Sequence, residues 1–159
     1  MKMKKGTWKT YLLWIVLTEA VGGLSALLTR KGMEIYNETV IKPVLSPPMI
    51  LFPIVWVILY ALMGIAVART QLKGKSTLQE KCLLIYIIQL AFNFCWSIFF
   101  FNLQAFGFAF LWLMVLWGLI IWMVLAFKKV DKAAAWLIVP YLLWVTFAAY
   151  LNAGTYLLN

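Results

Sequence analysis

The chain has 159 residues, 65% of them hydrophobic, with nine tryptophans, no histidine and a formal net charge of +9. A mean hydropathy of +0.94 excludes a soluble domain, because a chain of this length cannot bury so much apolar surface in one core. The basic residues are spread over short segments instead of one patch, which argues against nucleic acid and leaves anionic lipid headgroups as the counter-charge.

Five long apolar runs divide the sequence, and the first, Tyr11 to Thr29, bounded by Thr29-Arg30-Lys31-Gly32, is about 19 residues long without a small-residue cleavage site. It reads as a retained transmembrane helix and not as a signal peptide. A polar segment of about 17 residues follows, long enough for a functional loop. Ser46-Pro47-Pro48 reads as an N-cap with prolines in the first turn, opening a second helix that ends near Ala68, with Pro53 expected to bend it. The third helix is expected at Cys82–Phe101 and the fourth at Phe106–Phe127, joined by a tight turn at Asn102-Leu103-Gln104. The fifth runs from Ala133 to Leu157 and contains Pro140, which leaves the Trp136 carbonyl without its usual donor. No repeat or linker interrupts the pattern, so residues 1–159 are read as one all-α domain, a five-transmembrane-helix bundle.

Charge orients this bundle. Eleven of the fourteen Lys and Arg residues lie in three alternate flanking segments. These hold Lys2, Lys4, Lys5 and Lys9; then Arg69, Lys73, Lys75 and Lys81; then Lys128, Lys129 and Lys132. The segments between them carry only Arg30, Lys31 and Lys42. Short basic loops stay in the cytoplasm, so the N-terminus is expected to be cytoplasmic and the C-terminus extracytoplasmic. The expected setting is a bacterial cell membrane, with the chain as a multi-pass protein.

Several residues are out of place in lipid. Glu19 sits mid-helix, where an ionised carboxylate costs about 2.5–3.5 kcal/mol, and reads either as a ligand or proton contact or as a hydrogen bond to a neighbouring helix. Gln89, Asn93, Trp96 and Phe100 share one face of the third helix and need partners inside the bundle, whether other helices or a polar ligand. Trp56, Tyr60 and Met63 form a second stripe, and Tyr141, Trp144, Ala148 and Asn152 a third. Three deep aromatic stripes and a small residue describe a flat apolar slot suited to a planar aromatic ligand; helix packing is the other reading. Trp8, Trp14 and Trp136, near helix ends, fit interfacial belts.

No catalytic constellation is evident: there is no Ser-His-Asp set, no paired carboxylates on one predicted helix and no phosphate loop. Cys82 and Cys95 lie thirteen residues apart on one helix, about 20 Å, too far for a disulfide. No metal site is expected. Gly22-xxx-Ala26 and Gly64-xxx-Ala68 allow close helix contact within or between chains.

Lys42-Pro43-Val44-Leu45-Ser46-Pro47-Pro48, followed by Phe52-Pro53-Ile54-Val55-Trp56, resembles the TspO/MBR family, the translocator or tryptophan-rich sensory proteins. Glu19–Ser25 resembles that family's first helix, Asn93–Ser97 its third, and Ala135–Tyr141 with Trp144, Phe147-Ala148 and Leu151-Asn152 its fifth. The resemblance implies a homodimer whose bundle opens a pocket under the first loop, binding porphyrins, haem and synthetic isoquinoline or benzodiazepine-like ligands. Carried over residue by residue, that pocket uses Pro47, Trp56, Tyr60, Asn93, Trp96, Trp144 and Ala148. It implies no obligatory cofactor, with porphyrin or haem as ligand, and a receptor-like role in tetrapyrrole homeostasis. Light- and oxygen-dependent protoporphyrin degradation and porphyrin transport are the alternative activities. Tyr36-Asn37 stands where the family usually has Trp-Tyr, and Leu45 where its loop has Trp, so the loop half of the pocket is expected to differ. The family's cholesterol motif is unsupported, because no basic residue follows Tyr150 or Tyr156.

Overall fold

The computed structural model describes residues 7–73 and 76–159; Lys2, Lys4, Lys5 and Lys75, used in the charge argument, lie outside them. The described residues form five helices, each long and apolar enough to cross a membrane, and no strand. They are α1 (Thr7–Thr39), α2 (Leu51–Gln71), α3 (Thr77–Ser97), α4 (Phe106–Val130) and α5 (Lys132–Leu158). The chain is thus a multi-pass integral membrane protein. Helices are the solution lipid imposes, since every backbone N–H and C=O must find its partner within the segment.

Helix α1 packs on α2, α2 on α5, α5 on α4 and α4 on α3, and α3 closes the ring against α1 and α2. Gly64 makes the α1–α2 contact close: a Cβ there would lie 2.7 Å from Ile15 Cα. Its small-residue pattern therefore serves packing within the chain. Gly22, from the other such pattern, faces the Tyr60 ring, whose atoms would be the nearest to a Cβ there.

Three boundaries differ from expectation. Helix α1 continues past Thr29 to Thr39, so half of the expected polar loop is helical. Gly32 is no terminator: its missing side chain lets α1 approach the Phe101 backbone, where a Cβ would meet the carbonyl oxygen at 2.6 Å. Arg30–Glu34, at 3.4 Å, adds an i,i+4 pair along this extension. Secondly, Ser46 is not an N-cap. Its N–H donates to the Pro43 carbonyl at 3.0 Å, and α2 starts only at Leu51. Pro47 and Pro48 hold the residues before them out of the helical region, which delays the start. Pro53 then falls in the first turn, where a missing N–H loses no bond. Thirdly, α3 begins at Thr77, because the Ser76 hydroxyl accepts from the Gln79 N–H at 3.3 Å.

The two ends of the bundle are built differently. At one end Asp131 caps α5, accepting from the Ala133 and Ala134 N–H groups at 2.8 and 3.2 Å. The same carboxylate pairs with Arg69 of α2 at 2.9 Å and lies 3.7 Å from Lys73. Burial alone would raise its pKa; the Ala134 amide, Arg69, the Ala133 amide and Lys73 outweigh that and hold the carboxyl below the usual carboxylate range. At the other end lie the α1–α2 loop, the α3–α4 turn and Asn159. There the Asn159 side chain pairs with both backbone groups of Ile41, at 3.0 and 2.9 Å.

Helix α3 ends in a π-helical turn, Ile98–Asn102, and Gln104 takes the left-handed conformation at φ 49° to reverse the chain. Of the tryptophans assigned to belts, Trp8 and Trp136 are 54% and 72% exposed on the bundle surface. Trp14 instead packs edge-on against Tyr86, with ring centroids 5.8 Å apart.

Candidate functional site

Beneath the α1–α2 loop lies a cavity of about 490 Å³. That volume is within the range of small-molecule sites. Pro47 of the loop, Trp56 and Tyr60 of α2, Trp96 of α3, and Trp144 and Ala148 of α5 all line it. Six of the seven residues singled out in the sequence are thus brought together. Asn93 is the exception, lying behind the wall at 1% exposure.

Asn93 holds the wall from behind. Tyr60 stacks on Trp56 at 5.4 Å and donates its hydroxyl proton to Asn93 Oδ1 at 3.0 Å. Asn93 Nδ2 donates to the Tyr141 hydroxyl at 2.7 Å, which donates to Gln89 Oε1 at 3.0 Å. The Gln89 amide ends the chain on Met63 Sδ at 3.7 Å. The polar stripe of α3 is thereby satisfied within the bundle, as buried polar groups in lipid require. Trp96 is fixed in the same way: its indole N–H donates to Asn152 Oδ1 at 3.2 Å, and Asn152 Nδ2 donates to the Phe106 carbonyl at 2.8 Å. Both rings turn their polar ends into the protein and leave apolar surface to the cavity.

Helix α1 supplies a wall that the sequence reading did not assign. Gly22, Ser25, Thr29, Met33 and Tyr36 line the cavity at spacings of three and four residues, with Asn37 beside Tyr36. The signal was present as a stripe of small and polar residues, but ending the first helix at Thr29 cut it in half. Tyr36 packs on Phe100, Phe101 and Phe106, and its hydroxyl donates to Thr155 Oγ1 at 3.4 Å, because the Thr155 proton already goes to the Leu151 carbonyl. The π turn matters here: two successive residues, Phe100 and Phe101, both line the cavity.

Glu19 is half-buried, stands off the cavity wall, and makes no hydrogen bond or ion pair among the described residues. The expected hydrogen bond to a neighbouring helix is therefore not formed. Cys95 and Met63 also lie outside the wall, which instead carries the thioethers of Met33 and Met49. Of the positions that depart from the family pattern, Leu45 is 65% exposed and does not line the cavity, whereas Tyr36 and Asn37 do. A second hollow, of about 410 Å³, is an apolar groove on the outer face between α2 and α5. It shares Trp144 with the cavity.

This arrangement of tryptophans around a loop-covered cavity accompanies a match of residues 14–157 to the model of the TspO/MBR family. The chain belongs to the TspO/MBR family. It is 40% identical over 151 residues to the tryptophan-rich protein TspO of Chlorobaculum tepidum, covering 94% of this chain and 96% of that one. The tryptophan-rich sensory protein of Cereibacter sphaeroides is 36% identical over 153 residues, covering 96% and 92%. The translocator protein of Ovis aries is 35% identical over 113 residues, covering 70% and 67%. Within this family framework, the matched segment contains all seven residues carried over from the sequence.

Proposed function

We propose that this TspO/MBR protein is a membrane receptor that holds a porphyrin, or a similarly planar aromatic molecule, in the cavity under the α1–α2 loop. One observation carries this reading: aromatic faces from four helices meet around about 490 Å³, with the Tyr60 and Trp96 polar ends already bonded into the bundle. Such a surface rewards flat apolar area more than hydrogen-bonding detail. The names of the relatives, sensory protein among them, fit a binding or sensing role. The reading includes no obligatory cofactor, a cytoplasmic N-terminus, and a homodimer in the membrane, the last checked by cross-linking in native bilayers.

The test is a titration of the purified protein with protoporphyrin, followed by tryptophan fluorescence in the dark and under light. Saturable quenching without a new absorbing species is expected. A light-dependent product would replace the receptor by an enzyme, and unsaturable quenching would remove the ligand altogether.

A further inference from the structure

The cavity wall is mostly apolar, and its one charged side chain is Lys42. Lys42 Nζ donates to the Asn37 carbonyl at 3.2 Å and lies 5.6 Å from the centre of the Tyr36 ring. It makes no ion pair among the described residues, where Glu34 is taken by Arg30. Beside it, Asn37 Oδ1 is buried without a hydrogen-bond partner. Lys42 is a half-buried residue whose ammonium is answered only by a neutral carbonyl and a ring face, so it is incompletely compensated, and so is a buried amide oxygen with no donor. The two deficits sit on adjacent parts of one wall. They call for a ligand that brings negative charge to Lys42 and an N–H or O–H to Asn37.

We propose that Lys42 is the anion-recognising group of this site and that the ligand is a planar aromatic carrying a carboxylate, held with its acid edge under the loop. The apolar rings then take the body of the molecule, and Asn37 Oδ1 accepts from a donor near the acid edge. An ammonium-bearing aromatic of equal size is disfavoured by like charge. This assignment rests on the planar-ligand reading and narrows it to a chemical class.

The experiment compares protoporphyrin IX with its dimethyl ester, which keeps the ring and removes both charges, on the unaltered protein and on Lys42→Met. The unaltered protein should prefer the diacid by about tenfold or more, the scale of one charge-assisted hydrogen bond. Lys42→Met should lose that preference with ester affinity unchanged, and Lys42→Arg should keep most of it. Equal loss for acid and ester in Lys42→Met, or no loss for either, would overturn the assignment and leave the cavity reading standing. Failure of both ligands to bind the unaltered protein would remove the cavity reading, and this assignment with it. Melting temperature in detergent separates any general damage in the variants from a change in recognition.

Discussion

A side chain at Gly22 would place its Cβ 2.2 Å from Cε2 of Tyr60, so the phenol ring occupies the space that any other residue at position 22 would need. That ring is also a cavity wall and the start of the hydrogen-bonded chain through Asn93. Gly22→Ala should therefore displace Tyr60, destabilise the protein by about 1–3 kcal/mol and weaken porphyrin binding. Gly23→Ala, which meets nothing within 4 Å, should do neither. Thermal unfolding and titration of the pair check this, and equal melting temperatures would show that the contact is slack.

Trp144 and Asn93 should fail in different ways. Trp144→Ala removes an aromatic wall and should weaken binding more than tenfold, about 2 kcal/mol or more, with Trp8→Ala as the neutral comparison. Asn93→Ala leaves the Tyr60 and Tyr141 hydroxyls short of partners, and should cost about 1–3 kcal/mol of stability. Its effect on affinity should follow indirectly, through a loosened Tyr60. A large loss of affinity in Asn93→Ala at unchanged melting temperature would instead put the amide in contact with ligand.

Asp131 provides a pH signature. Its carboxyl is held below the unfolded value of about 3.9, so its stabilising contribution is complete above that pH and is lost as the pH falls through the lower folded value. Asp131→Asn keeps a capping acceptor but removes the charge facing Arg69 and Lys73. The variant should melt lower at pH 7, and the difference should shrink as the pH drops below about 4. Parallel melting curves across that range would remove the charge from the account.

Orientation is tested by reporters. A fusion after Asn159 should be extracytoplasmic and one inserted between Lys73 and Lys81 cytoplasmic, following the alternation of basic segments. Asn159 lies at the bundle end opposite Arg69 and Lys73, so the two reporters must fall on opposite sides. Both reporters on one side would end the proposed topology.

Metal should matter little to recognition. The residues lining the cavity include no histidine or cysteine, and its thioethers, Met33 and Met49, are weak candidates for iron. Metal-free protoporphyrin should therefore bind about as well as haem, and bound haem should lack a low-spin six-coordinate spectrum. A sharp low-spin Soret band lost in Met33→Leu or Met49→Leu would establish direct ligation.

Hydropathy and charge made the five helices legible, because lipid leaves so few ways to satisfy a backbone. The aromatic stripes of the second, third and fifth helices were legible for a related reason: large rings at helical spacing must share a face. What the sequence hid was the role of small residues. Gly32 reads as a stop signal in one dimension and acts as a contact point with Phe101 in three, so the α1 wall went unseen. Asn93 shares a face with Trp96, but which of two neighbouring groups reaches the cavity depends on how deeply each is seated. Asn93 is buried behind Tyr60, while the Trp96 ring reaches the wall.

The contrast between the two ends of the bundle has a consequence for how this protein can change. One carboxylate, Asp131, joins α2 to the α4–α5 connection at the end remote from the loop. The loop itself is moored at its start, where Pro43 meets Gly154 and Ile41 meets Asn159, while Val44 and Leu45 stand in the open. Substitutions in that free stretch touch neither the ion pair nor the amide chain through Asn93. A lineage could therefore rewrite that part of the roof repeatedly while inheriting the same foundation, without relearning how to insert and fold.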